Sequence, residues 1–322
     1  MEVSHISAIS RRLAQLCAVV LSVSLLTFLL LNLLPGDVTR TVLGENATSQ
    51  ARAQLRAQLG LDRPLWHRYL DWLGAALTGD LGHSLTNGSA VSSLIGQRVP
   101  VTLELTLLAL ILALSCAIPA ALLAARYRGR WLDRLASLAA YTTIAAPQFV
   151  VGIILILVFA VRLDWLPATG WSSLSDGLAA NLKTAILPAA SLAATEFAVF
   201  MRVLRTSAIQ ELTKQDYPMA ARAKGLAPFQ VMLRHVLRNS SLPLVTIVGI
   251  QLGTLLAGTV VVETLFGVPG VGQLLYTAIS QRDVPVVQGV VVFVAVVFVV
   301  VNTLVDGLYT LIDPRTRRHA AA

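Results

Sequence analysis

Long apolar runs separated by short polar intervals dominate the chain, and each run is long enough to predict a helix that crosses a membrane. Residues 13–34 carry no charge over 22 positions, and about 20 apolar residues suffice to span the hydrocarbon. Further runs at 105–125, 135–161, 184–201, 242–262 and 286–305 bring the expected spans to six, with Pro119 inside the second and Pro147 inside the third. The first run is too long for a signal-peptide core and lacks a small-residue cleavage site, so it is expected to remain as the first transmembrane helix. Between the first two spans lies the one long polar insert, 35–100. Its helical stretches fall at about 49–59 and 64–77, and the second gathers Leu65, Trp66, Tyr69, Leu70, Trp72, Leu73 and Leu77 into an aromatic surface suited to a membrane interface or a partner protein.

Composition agrees with this pattern: of 322 residues, 56% are hydrophobic and only 13% charged, which describes an all-α polytopic membrane protein. A formal charge of +8 could point to nucleic acid, but that needs a basic face on a soluble fold. Here the cations gather in short loops. Threading the six spans with both termini in the cytoplasm puts sixteen of the 25 Lys and Arg on the inner side and three in short outer loops. The other six lie in the long insert, which crosses largely regardless of charge. Cys17 and Cys116 sit inside apolar runs without metal-type spacing and are expected to be small buried hydrophobes.

One interval departs from the plain loop pattern. Residues 216–243, DYPMAARAKGLAPFQVMLRHVLRNSSLP, are polar and basic yet helix-forming. Pro218 can open a two-turn helix and Gly225 can close it in the left-handed conformation. A second helix opens at Pro228 and is expected to align Phe229, Met232, Leu233, Val236 and Leu237 as one apolar stripe, with Arg234 and Arg238 facing away. Neither helix would be stable alone, so something must cover them: a docked protein or, on the blander reading, the headgroups of the bilayer.

The usual chemical motifs are missing. There is no phosphate-cradling G-x-x-x-x-G-K-[ST] loop, no G-x-S-x-G turn and no H-E-x-x-H helix, so the chain reads as a transport subunit without its own ATPase site. A six-span chain of this kind moves solute by an ion gradient or by docking to a separate ATPase. Eight segments carry a resemblance: NLLPGD (32–37), LGLDRPL (59–65), GDLGHS (79–84), VPVTLEL (99–105), RAKGL (222–226), LRNSSLPLV (237–245), ETLFGVPGVGQLLYTAISQRD (263–283) and DGLYTLIDPRTR (306–317). In this order and over nearly the whole chain, they resemble the first membrane subunit of dipeptide and oligopeptide ABC importers.

The resemblance implies a type I ABC importer permease fold. Residues 1–12 would be a cytoplasmic N-terminus, 13–34 the first span, 35–100 an extracytoplasmic insert, and 101–322 a core permease domain with a cytoplasmic coupling loop at 202–241. It implies four kinds of neighbour: a second homologous permease subunit, two cytoplasmic ATPase domains, an extracytoplasmic substrate-binding protein and membrane lipid, with no nucleic acid. No cofactor is expected in this chain, since ATP and magnesium would be bound by the partner subunits. The family's E-A-A-x-x-x-G pattern falls on Met219, Ala220, Ala221 and Gly225, with Met in place of the usual Glu, and Arg222 and Lys224 would add polar contacts. Peptides are the expected cargo; nickel, haem and glutathione importers share the motifs.

Inside the spans, polar groups are few. Glu196 is the one acid well within an expected span, where a charge costs about 2.5 to 3.5 kcal/mol, so it should pair, face water or hold its proton. Gly249 and Gly253 form a small-xxx-small pair with Gln251 and Thr254 as polar neighbours; these residues either pack helices or line a pathway. An ion-coupled secondary transporter would want several such acids or paired broken helices, and a membrane scaffold would leave the 216–243 interval without a purpose.

Overall fold

The computed structural model describes residues 2–33, 43, 47–58, 60–214 and 225–312. Among them the chain is helical, its one strand-like feature an isolated bridge between His83 and Ala90. Among the described residues four helices are long and apolar enough to cross a membrane, and up to six spans result when each of two bent pairs counts as one. The chain divides into two compact units, Met1–Val101 with Pro269–Val299, and Thr102–Val268 with Val300–Ala322.

In the first unit, α1 (Glu2–Leu33) is followed by α2 (Ser49–Gln58) and α3 (Leu65–Leu77). Helix α1 buries little: Ser24 and Phe28 are covered, while Leu21, Leu25, Leu26, Leu29 and Leu30 are exposed, as suits a helix bathed in lipid. Those two buried residues are where α3 lands. Tyr69 shares a hydrogen bond with Ser24 (2.8 Å) and tilts against the Phe28 ring, and Arg68 donates to Asn32 Oδ1 (3.0 Å). Trp66, Leu70 and Leu77 are left on the outer face of α3, so the expected aromatic surface is split between α1 and the surroundings.

In the second unit the core lies around α7 (Leu178–Lys214). Helix α4 (Val91–Arg126) presents Ala113, Ala117, Ala121 and Ala124 at close to helical repeat, small side chains that let Phe200, Met201 and Leu204 of α7 settle into the same core. The third expected span is not one helix. Helix α5 (Trp131–Ala145) stops before Pro147, and α6 (Gln148–Leu155), prolonged by a π-helical stretch Ile156–Arg162, leaves it at 107°. Proline removes the N–H that would continue the helix and pushes the preceding residue to extended backbone; Ala146 accordingly has φ −90° and ψ 124°. The elbow is held where Ser191 Oγ of α7 donates to the Gln148 carbonyl (2.8 Å).

Helix α8 (Leu237–Phe266) contains Pro243 and ends on Gly267 in the left-handed conformation (φ 65°). Next come α9 (Val271–Ser280) and α10 (Val284–Ile312). Cys17 and Cys116 are free but exposed, a correction to their expected burial: each lies on the outward side of its helix, where the surroundings of an apolar span are themselves apolar.

Candidate functional site

The interval singled out in the sequence is visible from its second half. Met219, Ala220, Ala221, Arg222 and Lys224 lie outside the described residues. Gly225 has φ +82°, the left-handed conformation expected of a helix-closing glycine. After it, Ala227 caps a helical turn with Pro228 at the first position, as expected.

From Val231 to Val236 the helix is π-wound before α8 begins, so backbone runs helically from Pro228 to Phe266. The wider winding corrects the expected stripe, because it turns successive side chains by less than an α-helix does. Val231, Met232 and Val236 are buried against Leu122, Ala125 and Ala208, and Leu237 is half-buried beside them. Phe229 (71% exposed) and Leu233 (42% exposed) instead point outward, on a face that also bears exposed Arg234 and Arg238. An exposed aromatic and aliphatic pair rimmed by guanidinium groups is the composition of a protein-docking surface.

The segment leading into this region is tied down by an ion pair that sequence reasoning registered only as loop charge. Arg205 of α7 grips Asp133 of α5 with Nε to Oδ1 at 2.6 Å and an Nη to Oδ2 at 2.9 Å, and the Gly129 N–H donates to Oδ2 at 2.8 Å. The Asp133 side chain is 7% exposed, and its four neighbouring bases, Arg126, Arg128, Arg130 and Arg134, are the basic loop itself.

The expected pathway residues separate. Glu196 is 2% exposed and accepts a hydrogen bond from Gln251 Nε2 at 2.9 Å, linking α7 to α8. Gly249 marks a close approach: a Cβ there would collide with Cγ1 of Val305. Gly253 is buried, whereas Thr254 is exposed and bonds back to the Gln251 carbonyl (2.9 Å). Beside these residues runs a cleft of about 560 Å³ whose polar lining is Ser207, Gln210, Glu211, Asn239 and Thr246, set among aliphatic side chains and Pro243. Pro243 has no N–H to offer the Asn239 carbonyl, so the cleft wall combines hydroxyls, amides and the Glu211 carboxylate with a backbone acceptor lacking its helical donor.

Two further carboxylates, one buried and one half-buried, escaped sequence reading because they fall just beyond the expected ends of spans. Glu263, fully buried, accepts from Thr102 Oγ1 (2.7 Å), and Glu104 accepts from Asn181 Nδ2 (2.6 Å). Both pairs tie α4 to later helices from within VPVTLEL and the start of ETLFGV, so those two motifs serve helix packing.

Comparison with known proteins decides the family. Residues 117–318 match the model of binding-protein-dependent transport system inner membrane components, and residues 6–106 match the N-terminal domain of such membrane components. The chain belongs to this family. It is 39% identical over 311 residues to a probable peptide ABC transporter permease protein of Sinorhizobium fredii, covering 96% of this chain and 98% of that one. It is 38% identical over 307 residues to the glutathione transport system permease protein GsiC of Escherichia coli, covering 95% and 97%. A crystal structure of an amino acid ABC transporter aligns with 70% of this chain and 94% of its own at a TM-score of 0.48 and 17% identity. The protein is thus a multi-pass membrane permease subunit of an ABC importer, with the type I permease fold expected from the sequence.

Proposed function

We propose that this permease subunit carries peptides inward across the cytoplasmic membrane, driven by ATPase subunits that dock on the segment 202–241. The observation that carries the reading is the outward face of Phe229, Leu233 and Arg234 on a helix entered at left-handed Gly225 and continuous with α8. A push on that face moves the first part of α8, up to its 57° bend after Leu255, because the helical backbone between them is unbroken. The cleft along α7 and α8 sets amides, hydroxyls and the Glu211 carboxylate among apolar side chains, a mixture that suits a peptide, and the probable peptide permease of Sinorhizobium fredii supports that cargo. Glutathione, itself a small peptide, is the second cargo class, favoured by the similarity to GsiC.

In the working assembly this chain pairs with a second permease subunit, two ATPase domains that bind ATP and magnesium, and an extracytoplasmic binding protein. Both of its termini face the cytoplasm, as does the 202–241 segment.

Gly225→Val tests the coupling. A β-branched side chain at φ +82° is strained by about 1 to 2 kcal/mol, which the short loop relieves by changing its path. The variant complex should insert into the membrane, hold its ATPase subunits weakly on co-purification and lose uptake of radiolabelled peptide. Uptake at the wild-type rate would remove the loop from the mechanism.

A further inference from the structure

Two of the motifs, GDLGHS and the closing QRD of the long run, are not accounted for by coupling or by the cleft. The structure joins them. Ser84 Oγ donates to Asp283 Oδ2 at 2.5 Å, and the Leu85 N–H donates to Oδ1 at 3.1 Å. The same Ser84 hydroxyl accepts the N–H groups of Thr86 (3.2 Å) and Asn87 (3.3 Å), and the Val91 N–H reaches the Gly82 carbonyl (3.0 Å). A tight turn is thereby clamped onto the 3% exposed Asp283, immediately before α10.

Beside the clamp opens a cavity of about 290 Å³ whose polar lining includes Thr86, Asn87, Arg98, Gln273, Thr277 and Gln281, with Asp283 its one lining carboxylate among the described residues. Arg98 enters from α4 and is half-buried. It makes no ion pair or hydrogen bond with any described residue, and both Asp283 oxygens are already engaged. A guanidinium partly withdrawn from water and without a partner is a strong donor site for a planar carboxylate, which it grips through two parallel N–H groups. The other walls set amides and hydroxyls beside Leu94, Leu274, Ala278 and Val286, which match the peptide groups and small side chains of a ligand rather than a second charge. The volume is at the lower end for a small-molecule site, enough for one end of a solute.

We propose that this cavity binds the terminal carboxylate of a small peptide, with Arg98 as its counter-ion. The assignment rests on the reading of the protein as a peptide importer, and it adds a contact point in the unit formed by Met1–Val101 and Pro269–Val299. It is tested on the full-length chain in detergent by the rate at which phenylglyoxal modifies Arg98, followed by mass mapping. Trialanine should slow modification of Arg98 at least fivefold, trialanine amide should not, and exposed Arg63 should react equally throughout.

Equal rates with and without trialanine, or equal slowing by the amide, would overturn the site. Slowing by phosphatidylglycerol alone would reassign Arg98 to a lipid phosphate and overturn it too. Trialanine uptake by the wild-type importer in proteoliposomes separates the two levels. Uptake without protection sinks the site and leaves the importer reading, whereas protection without uptake does the reverse.

Discussion

Helix α7 carries two polar side chains nine residues apart that reach neighbouring helices in opposite chemical styles. At Arg205 the contact is a forked ion pair, with every oxygen of the buried Asp133 carboxylate matched to a donor. At Glu196 it is one bond from the neutral amide of Gln251, deeper in the span and away from any cation among the described residues. The difference teaches where charge is tolerated. Near the end of a span, where the basic loop begins, a full ion pair fixes α5 to α7. In the interior the same helix accepts only a contact that survives without charge.

Breaking the ion pair should have the largest effect. Arg205→Ala leaves a buried carboxylate without its cation, which costs about 3 kcal/mol after allowance for the partly exposed guanidinium. The purified subunit should unfold at a lower temperature in a thermal-shift assay, and Arg205→Lys should recover only part of the loss because it lacks the fork. An unchanged midpoint in Arg205→Ala would reduce the pair to a surface contact.

Next in size is Gly249→Val, placed close to Gln251 on α8, where added carbons would collide with Val305 and cost about 1 to 3 kcal/mol. If α8 and α10 meet there as described, Gly249→Val combined with Val305→Ala should restore part of the midpoint. Absence of any rescue would deny the contact.

Smallest of all should be Glu196→Gln. The substituted amide still accepts from Gln251, so thermal stability and peptide uptake should both match the wild type. Altered cargo preference in that variant would overturn the packing assignment and make the carboxylate part of the route. Glu196→Ala sharpens the contrast, since stranding the Gln251 amide should cost about 1 to 3 kcal/mol.

Much of this architecture was legible because apolar runs of membrane length leave few alternatives. Both ends of α2 and α3, the last residue of α1 and the first of α10 fall close to the expected boundaries, whereas α1 starts eleven residues earlier and α10 ends seven later than expected; Gly225 and Pro228 behave as their backbone chemistry requires. What composition could not show was geometry created by winding and bending. Pro147 was visible, but a kinked span and a 107° elbow share one sequence signal. The π winding at Val231–Val236 has no pattern of its own, so Phe229 and Leu233 were placed on the wrong face. Glu196 was found as an isolated acid, yet its partner lay 55 residues away and only the fold reveals the pairing. Asp133, Glu263 and Asp283 sit at or beside helix ends where acids are commonplace, which concealed their burial.

The clamp between Ser84 and Asp283 also sets a schedule. Its halves are separated by 199 positions, so the ribosome has made most of the protein before Asp283 exists. Until then the turn after α3 cannot close, and the N-terminal hundred residues wait for the Pro269–Val299 segment that completes their unit. Contacts between distant positions form late, and the incomplete unit must persist meanwhile without its buried neighbours. Nascent chains arrested before residue 283 should therefore leave the Ser84 turn open to protease, and chains released beyond it should protect that turn.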